Sequence, residues 1–194
     1  MPSPSIDVAK TIADLGPLPS PTKSAVLVLI VGIPGSGKGQ VAASLHAAAP
    51  LVLIDEVELL GGIEAAGQSF ATRLEAERAV EEVAGALLEQ GVSVLLNSSS
   101  PTAFERRALF SLAERHDAQI VVVEVGAATP VVTRRLEDAA SDAEERALAT
   151  EQADRSEPIN HEHIYVDTTS GLEHIELAVE AIRRAQAGER APHT

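Results

Sequence analysis

The chain of 194 residues contains no cysteine and no tryptophan, and aromatic side chains make up only 2% of it. The absence of cysteine excludes disulfide bridges, cysteine-ligated zinc and thiol catalysis. So few aromatic rings leave little surface on which single-stranded nucleic acid could stack its bases. The core must therefore consist mainly of Val, Leu, Ile and Ala.

Positive charge is also scarce, since 15 Lys and Arg residues are set against 29 Asp and Glu residues, giving a formal net charge of −14. Such a surface has no general attraction for nucleic acid or anionic lipid, so any phosphate-binding site must be local. The longest apolar run, residues 25–31, is too short to cross a bilayer, and the N-terminus lacks a signal-peptide pattern. These features predict a cytoplasmic protein without nucleic-acid or membrane partners. They leave its oligomeric state open.

Apolar runs alternate with amphipathic segments along the chain. The pattern predicts strands at 26–31, 51–54, 92–96, 119–125 and 164–166, and helices at 40–49, 69–90, 101–115, 129–138, 142–154 and 171–186. Gly61, Gly62 and Gly67 predict a flexible loop before the long helix, and Ser100 is the expected N-cap of the helix that follows the third strand. Strands that alternate with helices favour an α/β fold with a parallel sheet covered on both faces.

The ends of the chain differ in composition from the middle. Residues 1–24 are rich in proline and serine and predict a flexible N-terminal arm, with an ordered strap over the domain surface as the alternative. We expect one domain over residues 25–187 and a C-terminal tail over residues 188–194.

The most specific motif is Gly32–Gly39, which reads GIPGSGKG and lies between a buried strand and a helix. It matches G-x-x-x-x-G-K in the context that this phosphate-binding motif requires. Glycines let backbone N–H groups converge on a phosphate, the helix adds its positive N-terminal dipole, and Lys38 supplies a mobile cation. The predicted nucleotide-binding residues are Gly32, Ile33, Pro34, Gly35, Ser36, Gly37, Lys38, Gly39 and Gln40.

The motif departs from its standard form at position 39, where a Ser or Thr hydroxyl normally binds Mg²⁺. Here Gly39 is followed by Gln40. The loop of adenylate kinases is similar, since it reads GKG followed by Thr, but Gln replaces that Thr in this chain. The usual hydroxyl ligand is missing in either alignment.

Beyond this loop, residues 25–184 resemble the P-loop kinases grouped with polynucleotide kinase, zeta toxins and gluconate kinase. The resemblance rests on GIPGSGKG, then LVLIDEVELL at 51–60, GVSVLLNSSSP at 91–101, TPVVTRRL at 129–136, SDAEERALATEQADRSEP at 141–158 and YVDTTSG at 165–171, in this order. It implies a three-layer P-loop NTPase fold with a five-stranded parallel sheet in the order 2-3-1-4-5. It also implies a small helical lid at about 134–156 and ATP as the phosphoryl donor.

The resemblance assigns roles to polar residues at two strand ends. Asp55 is expected to orient or deprotonate an acceptor hydroxyl and is also a candidate Mg²⁺ ligand, with Glu56 as the backup; the alternative for Asp55 is a helix N-cap. Asn97 stands where an aspartate would hold Mg²⁺, and the serines at 98–100 offer only neutral hydroxyls. With Gly39, this is the second position that lacks its usual metal-supporting group, which places the Mg²⁺ site in doubt.

Several arginines are candidates for contacting phosphate oxygens. Arg134 and Arg135 match the arginine-bearing approach to the lid, where a mobile Arg would stabilise charge in phosphoryl transfer. Arg146 and Arg155 could substitute for them, and a solvated helix face is the alternative for each. Arg73 could hold an acidic acceptor, or it could pair with Glu77 one helical turn away.

Two functions from different classes follow. The first is an ATP-dependent kinase that transfers the γ-phosphoryl group to a hydroxyl or phosphate of a small molecule or nucleotide, a reading supported by Lys38, Asp55 and the lid arginines. The second is a nucleotide-binding protein with little or no turnover that acts as a sensor or partner-binding module, a reading supported by Gly39 and Asn97. No motif in the sequence identifies the acceptor.

Overall fold

The computed structural model describes residues 6–98, 102–139 and 143–189. Five strands form its sheet: β1 (Val26–Val31), β2 (Val52–Asp55), β3 (Val94–Asn97), β4 (Gln119–Gly126) and β5 (His163–Asp167). The helices are α1 (Val8–Asp14), α2 (Lys38–Ala48), α3 (Glu56–Ala65), α4 (Arg73–Glu89), α5 (Ala103–Arg115), α6 (Thr129–Ala139), α7 (Ala143–Asp154) and α8 (Ile175–Gln186).

The sheet is parallel throughout and has the order β2-β3-β1-β4-β5, which confirms the predicted topology. All five strands therefore end at one edge of the sheet. The strand order reverses beside β1, and in open α/β sheets ligands bind at the carboxyl ends of strands at such a point. The loop that follows β1 is thus placed at the expected binding edge.

Alternate residues of the central strand face two separate apolar cores. On one face, Leu27 and Leu29 pack with apolar residues of α4 and α5. On the other face, Val28 and Ile30 pack with residues of α2 and α8. Because helices cover the sheet on both sides, every residue of β1 is buried, which explains its unbroken apolar sequence.

The N-terminal segment differs from the flexible arm that its composition predicts. Within its described part, residues 6–24, α1 packs against α4, and Ile6 is 93% buried in the same core as the central strand. Further along, the Thr22 amide N–H donates to the Gly91 carbonyl at 3.1 Å. The segment is therefore a strap over the domain, and residues 1–5 lie outside the described part.

Two local predictions also need correction. Gly61 and Gly62 lie inside α3 and not in a loop, because Asp55 caps a helix that continues through them to Ala65. The N-cap of α5 is Thr102, which forms a reciprocal capping box with Glu105, and not Ser100. Ser100 itself lies outside the described residues.

The predicted lid region contains α6 and α7, which contact each other. The end of α7 is tied to α5, since the Ala103 amide N–H donates to Glu157 Oε2 at 2.7 Å. Arg106, nearly fully buried, donates to the Glu157 and Pro158 carbonyls. The segment that follows the lid is thus bound to α5. Across the described ranges, no helix is long and apolar enough to cross a bilayer.

Candidate active site

The loop between β1 and α2 has the backbone that a phosphate-binding loop requires. Gly35 and Gly37 adopt left-handed conformations, with φ of 78° and 95°, which other residues rarely adopt. A Cβ on Gly32 would collide with the Val125 carbonyl oxygen and approach Ser36 Oγ to 2.7 Å. These glycines let the loop turn tightly over β1 and β4, and α2 begins directly behind them at Lys38.

Lys38 bends back over the loop. Its Nζ donates to the Gly32 carbonyl at 2.8 Å and to the Ile33 carbonyl at 3.2 Å. Burial lowers the pKa of Lys38, and the negative charge of Asp55 partly opposes this effect. An ammonium held only by carbonyl groups in a partly desolvated position is suited to exchange those weak partners for phosphate oxygens.

Arg135 links the loop to the end of β5. Its guanidinium donates to the Thr168 carbonyl and hydroxyl, both at 2.8 Å, and to the Gly35 carbonyl at 3.3 Å. The Thr168 hydroxyl in turn donates to the Ser36 carbonyl at 2.6 Å. We call Arg135, Thr168 and the two loop carbonyls the arginine clasp. Through it, α6 holds the Gly35 and Ser36 carbonyls of the loop in place.

Arg134, the neighbouring lid candidate, has a different environment. Its side chain is 84% exposed and lies 3.7 Å from Asp138, a loose pair within one helical turn. The two predicted lid arginines therefore have different contacts: Arg135 contacts the loop, whereas Arg134 pairs with Asp138. Arg155 directly follows α7 and pairs with Glu105 of α5 at 3.3 Å. The side chain of Arg146 is outside what the structure describes.

Asp55 is held by two sets of hydrogen bonds at the end of β2. Its Oδ1 accepts the backbone N–H groups of Val57 and Glu58 at 3.1 and 3.3 Å, so it caps α3. Its Oδ2 accepts Asn97 Nδ2 at 2.6 Å, across the paired ends of β2 and β3. The carboxylate is thus fixed in place at the binding edge, close enough to Lys38 to affect the pKa of that residue.

Asn97 is the residue whose surroundings bear most on Mg²⁺. Its Oδ1 is buried and lacks a hydrogen-bond partner in the described part of the chain. An unsatisfied amide oxygen beside a carboxylate is a fitting pair of hard ligands for Mg²⁺, which takes few protein ligands and completes its shell with water and phosphate oxygens. Gly39 adds no side-chain ligand, because glycine has no side chain. Across residues 6–98, 102–139 and 143–189, no cluster of three His, Cys, Asp or Glu forms a metal cage.

The predicted acceptor residues lie on the side of α4 and α5. Arg73 Nε donates to Glu77 at 2.7 Å, the expected pair one turn away, and its Nη2 donates to Glu105 at 2.7 Å. Glu56 and Arg73 line the same small cavity of about 140 Å³. Arg73 is therefore already held by two carboxylates and does not point into the cavity as an isolated cation.

Sequence reasoning missed two residues of this site. Thr168 lies in the YVDTTSG segment that the resemblance marks, yet no local pattern shows that its hydroxyl reaches a loop more than a hundred residues earlier. Glu105 of α5 forms ion pairs with Arg73 of α4 and with Arg155, which follows α7. Its capping-box position three residues after Thr102 was the one available signal.

Comparisons with known proteins agree with this geometry. Residues 27–158 match a family model described as an AAA domain. No curated protein resembles the chain closely enough to count as a match.

Several solved structures share the fold. Kti12 from Chaetomium thermophilum, in complex with ADP-AlF3, has a TM-score of 0.65 and 22% identity, over 84% of this chain and 100% of that chain. A gluconokinase from Sinorhizobium meliloti 1021 has a TM-score of 0.59 and 20% identity, over 86% of this chain and 95% of that chain. The APS kinase CysC of Mycobacterium tuberculosis, in complex with AMPPNP and APS, has a TM-score of 0.54 and 21% identity, over 86% of this chain and 98% of that chain.

Identities this low establish a shared fold and nothing finer. The family match spans well over half of the sequence and includes the phosphate-binding loop, Asp55, Asn97 and both lid arginines. The chain is therefore a member of this AAA domain family.

Proposed function

We propose that the chain is an ATP-dependent phosphotransferase that moves the γ-phosphoryl group onto a hydroxyl or phosphate of a small molecule or nucleotide. The observation that carries the proposal is the placement of a fixed carboxylate, Asp55, near the ammonium of Lys38 at the carboxyl edge of the sheet. Phosphoryl transfer needs few groups beyond a phosphate cradle, a cation and a residue that orients the attacking hydroxyl.

Each group has an expected task. The N–H groups of the loop and the N-terminus of α2 would bind the outer phosphates of ATP, and Lys38 would leave its carbonyl partners to neutralise developing charge. Asp55 would accept a hydrogen bond from the acceptor hydroxyl and orient it for attack. Arg135 would keep the loop in shape, while the exposed Arg134 is free to reach the transferred group when the lid closes.

Mg²⁺ would neutralise charge on the phosphates when it is bound. We expect Asp55 and the buried Oδ1 of Asn97 to hold it, directly or through water, together with phosphate oxygens. One carboxylate and one amide carry less charge than the usual ligand set, so we expect weaker metal binding than in a site with two acids.

Two variants of Asp55 test the proposal. Asp55→Asn keeps a good helix cap, so the melting temperature should change little, while transfer should fall at least about 100-fold because the orienting carboxylate is lost. Asp55→Ala should lose transfer and also about 1 kcal/mol of stability, because the cap is removed. ADP release and ³¹P NMR across a panel of hydroxylated and phosphorylated acceptors provide the readout.

Lys38→Ala is the matched control for the nucleotide side. It should weaken ATP binding while leaving the melting temperature nearly unchanged, because within the described part of the chain Lys38 donates only to two loop carbonyls. Unchanged ATP affinity in Lys38→Ala would refute the assignment of the loop. Full transfer activity in Asp55→Asn would refute the role of Asp55.

The second candidate is a nucleotide-binding protein with little or no turnover. Gly39 and the neutral Asn97 favour it, since both reduce support for the metal that assists transfer. It predicts that ATP raises the melting temperature equally with Mg²⁺ and with EDTA, and that no acceptor yields ADP. Stabilisation that depends on Mg²⁺, together with ADP formation, would decide for the kinase.

A further inference from the structure

A cavity of about 470 Å³ lies between α1, α3 and the end of the edge strand β2. Its lining is shared by the N-terminal strap and the domain. The lining residues are Asp7, Lys10, Thr11, Asp14, Leu15, Leu53, Asp55, Glu58, Leu59, Gly62, Ile63, Ala66 and Gln68.

One wall of this cavity lies outside the family domain. The family match begins at residue 27, whereas α1 spans Val8–Asp14. The pocket therefore depends on a segment that is additional to the matched domain. The cavity is also distinct from the smaller one beside Arg73, because the two cavities share no lining residue.

The cavity has an apolar floor. Leu59 and Ile63 are more than 90% buried there, and Leu15 and Leu53 are partly buried beside them. Gly62 leaves the middle of the α3 wall open, since an added Cβ would meet nothing within 4 Å. A ligand body of moderate size can therefore lie against aliphatic side chains and lose its contact with water.

The rim of the cavity is strongly acidic. Four carboxylates line it (Asp7, Asp14, Asp55 and Glu58), and Lys10 is the one cation in that lining. Asp7 and Asp55 cap the first turns of α1 and α3. By contrast, Asp14 and Glu58 form no ion pair within the described part of the chain, so their charge remains available to a ligand.

We propose that this cavity binds a small organic cation, an amine attached to an apolar body. The ammonium lies near Asp14 and Glu58, and the apolar body covers Leu59 and Ile63. An anionic ligand is disfavoured because it would face a local excess of negative charge. Asp55 is part of the cavity lining, so the bound amine shares the cavity with the carboxylate whose charge affects the pKa of Lys38. The proposal concerns binding alone and does not require turnover.

Three probes of similar shape and different charge test the ligand class. Binding of phenethylamine, 2-phenylethanol and phenylacetate to the full chain is measured by calorimetry at low ionic strength. We expect phenethylamine to bind about tenfold more tightly than 2-phenylethanol, the size of two partly solvated charge contacts. We expect no binding of phenylacetate. Equal binding of all three probes, tighter binding of the anion, or no binding of any probe would overturn the proposal.

Two neighbouring glycines of α3 provide a matched test of location. Gly62→Phe fills the cavity and should abolish binding of phenethylamine. Gly61→Phe is its control, because Gly61 lies in the same helix, has equally open surroundings and does not line the cavity. Both changes should leave the fold intact, which circular dichroism and melting temperature check. Binding that survives Gly62→Phe, or that is lost in a folded Gly61→Phe, contradicts this location.

Charge variants test the rim. The double variant Asp14→Asn with Glu58→Gln should weaken phenethylamine binding about tenfold, while Lys10→Gln should strengthen it severalfold. Glu64→Gln is the control, since Glu64 is an exposed carboxylate of α3 outside the cavity lining. An equal loss in Glu64→Gln would show that only net charge matters and would refute a specific site. Lys38→Ala, which removes the nucleotide contact, should leave amine binding unchanged, so this inference and the proposed transfer reaction fail independently.

Discussion

The two halves of the binding edge are held together by different kinds of contact. On the side of β1, β4 and β5, the loop is fixed by backbone geometry and by hydrogen bonds from Lys38, Arg135 and Thr168 to its carbonyl groups. On the side of β2 and β3, side chains hold one another. Asp55 caps α3 and accepts a hydrogen bond from the Asn97 amide, and Glu105 forms an ion pair with Arg73.

This difference distinguishes a phosphate site that depends on the main chain from a neighbouring surface whose ligand can change with its side chains. A loop that uses its main chain to bind phosphate depends on glycine at a few positions and tolerates little change there. A surface that uses side chains can exchange one carboxylate or amide for another and so change its ligand. We therefore expect substitutions at the crowded glycines and in the arginine clasp to affect folding and binding together, and substitutions on the other side to affect function with smaller changes in stability.

The largest expected effect is at Gly32. Gly32→Ala should cost about 3 kcal/mol of unfolding free energy and prevent nucleotide binding, because the new Cβ has no room beside the Val125 carbonyl. Gly39→Ala should change stability by no more than about 0.5 kcal/mol, because that position is open. Urea denaturation measures both. Similar losses in the two variants would contradict the distinction between a crowded and an open glycine.

The next largest effect is expected at the arginine clasp. Arg135→Ala removes three hydrogen bonds from a half-buried guanidinium and should cost about 2 kcal/mol. Arg134→Ala should cost no more than about 0.5 kcal/mol, because its side chain is 84% exposed and loosely paired. Thermal unfolding and ATP titration of both variants measure the difference. If Arg134→Ala proved the more destabilising, the stabilising role of the arginine clasp would be refuted.

A smaller effect is expected where the two halves meet. Asn97→Asp places a second carboxylate beside Asp55, and two carboxylates repel each other unless a proton or a cation lies between them. We expect a loss of about 1 kcal/mol in EDTA and its recovery with Mg²⁺. Melting temperatures with and without Mg²⁺ provide the measurement. A variant that is equally stable in both solutions would show that Asn97 does not lie at a metal position.

The smallest effect is expected at Arg73. Its side chain is half exposed, so Arg73→Ala should cost less than about 1 kcal/mol despite contacts to Glu77 and Glu105. High salt should reduce this difference further, because screening weakens exposed ion pairs. Chemical denaturation at two salt concentrations tests both statements. A loss above about 2 kcal/mol would show that the acceptor side is as rigid as the loop side.

Much of the fold could be predicted from local patterns. The apolar run Val26–Val31, the glycine-rich loop and the alternation of strands and helices predicted a parallel sheet covered on both faces, because burial on both faces requires continuous apolar strands. The strand order was implied by the resemblance to P-loop kinases. The helix α3 was not predicted, and the strap was named only as the alternative to a flexible arm. Proline, serine and glycine favour loops locally, whereas burial of Ile6 and the Asp55 cap override that preference in the folded chain.

The site divides in the same way. Lys38 could be identified from the glycine-rich motif that follows a buried strand. Asp55 could be identified because it lies at the carboxyl end of the next strand, where parallel sheets bind ligands. The difference between Arg134 and Arg135 could not, since adjacent residues of one helix face different surroundings only after α6 packs against the phosphate-binding loop. The partner of Asp55 needed the register of β2 against β3, which places Asn97 opposite it.

The sequence by itself determined that a phosphate-binding loop follows a buried strand and that its usual hydroxyl at position 39 is missing, because both are properties of adjacent residues. The tertiary structure decided which arginine fixes that loop, which amide holds Asp55, and how the N-terminal strap closes a cavity against α3. These depend on contacts between segments distant in sequence, whose meeting is set by the packing of helices on the sheet and not by any local pattern.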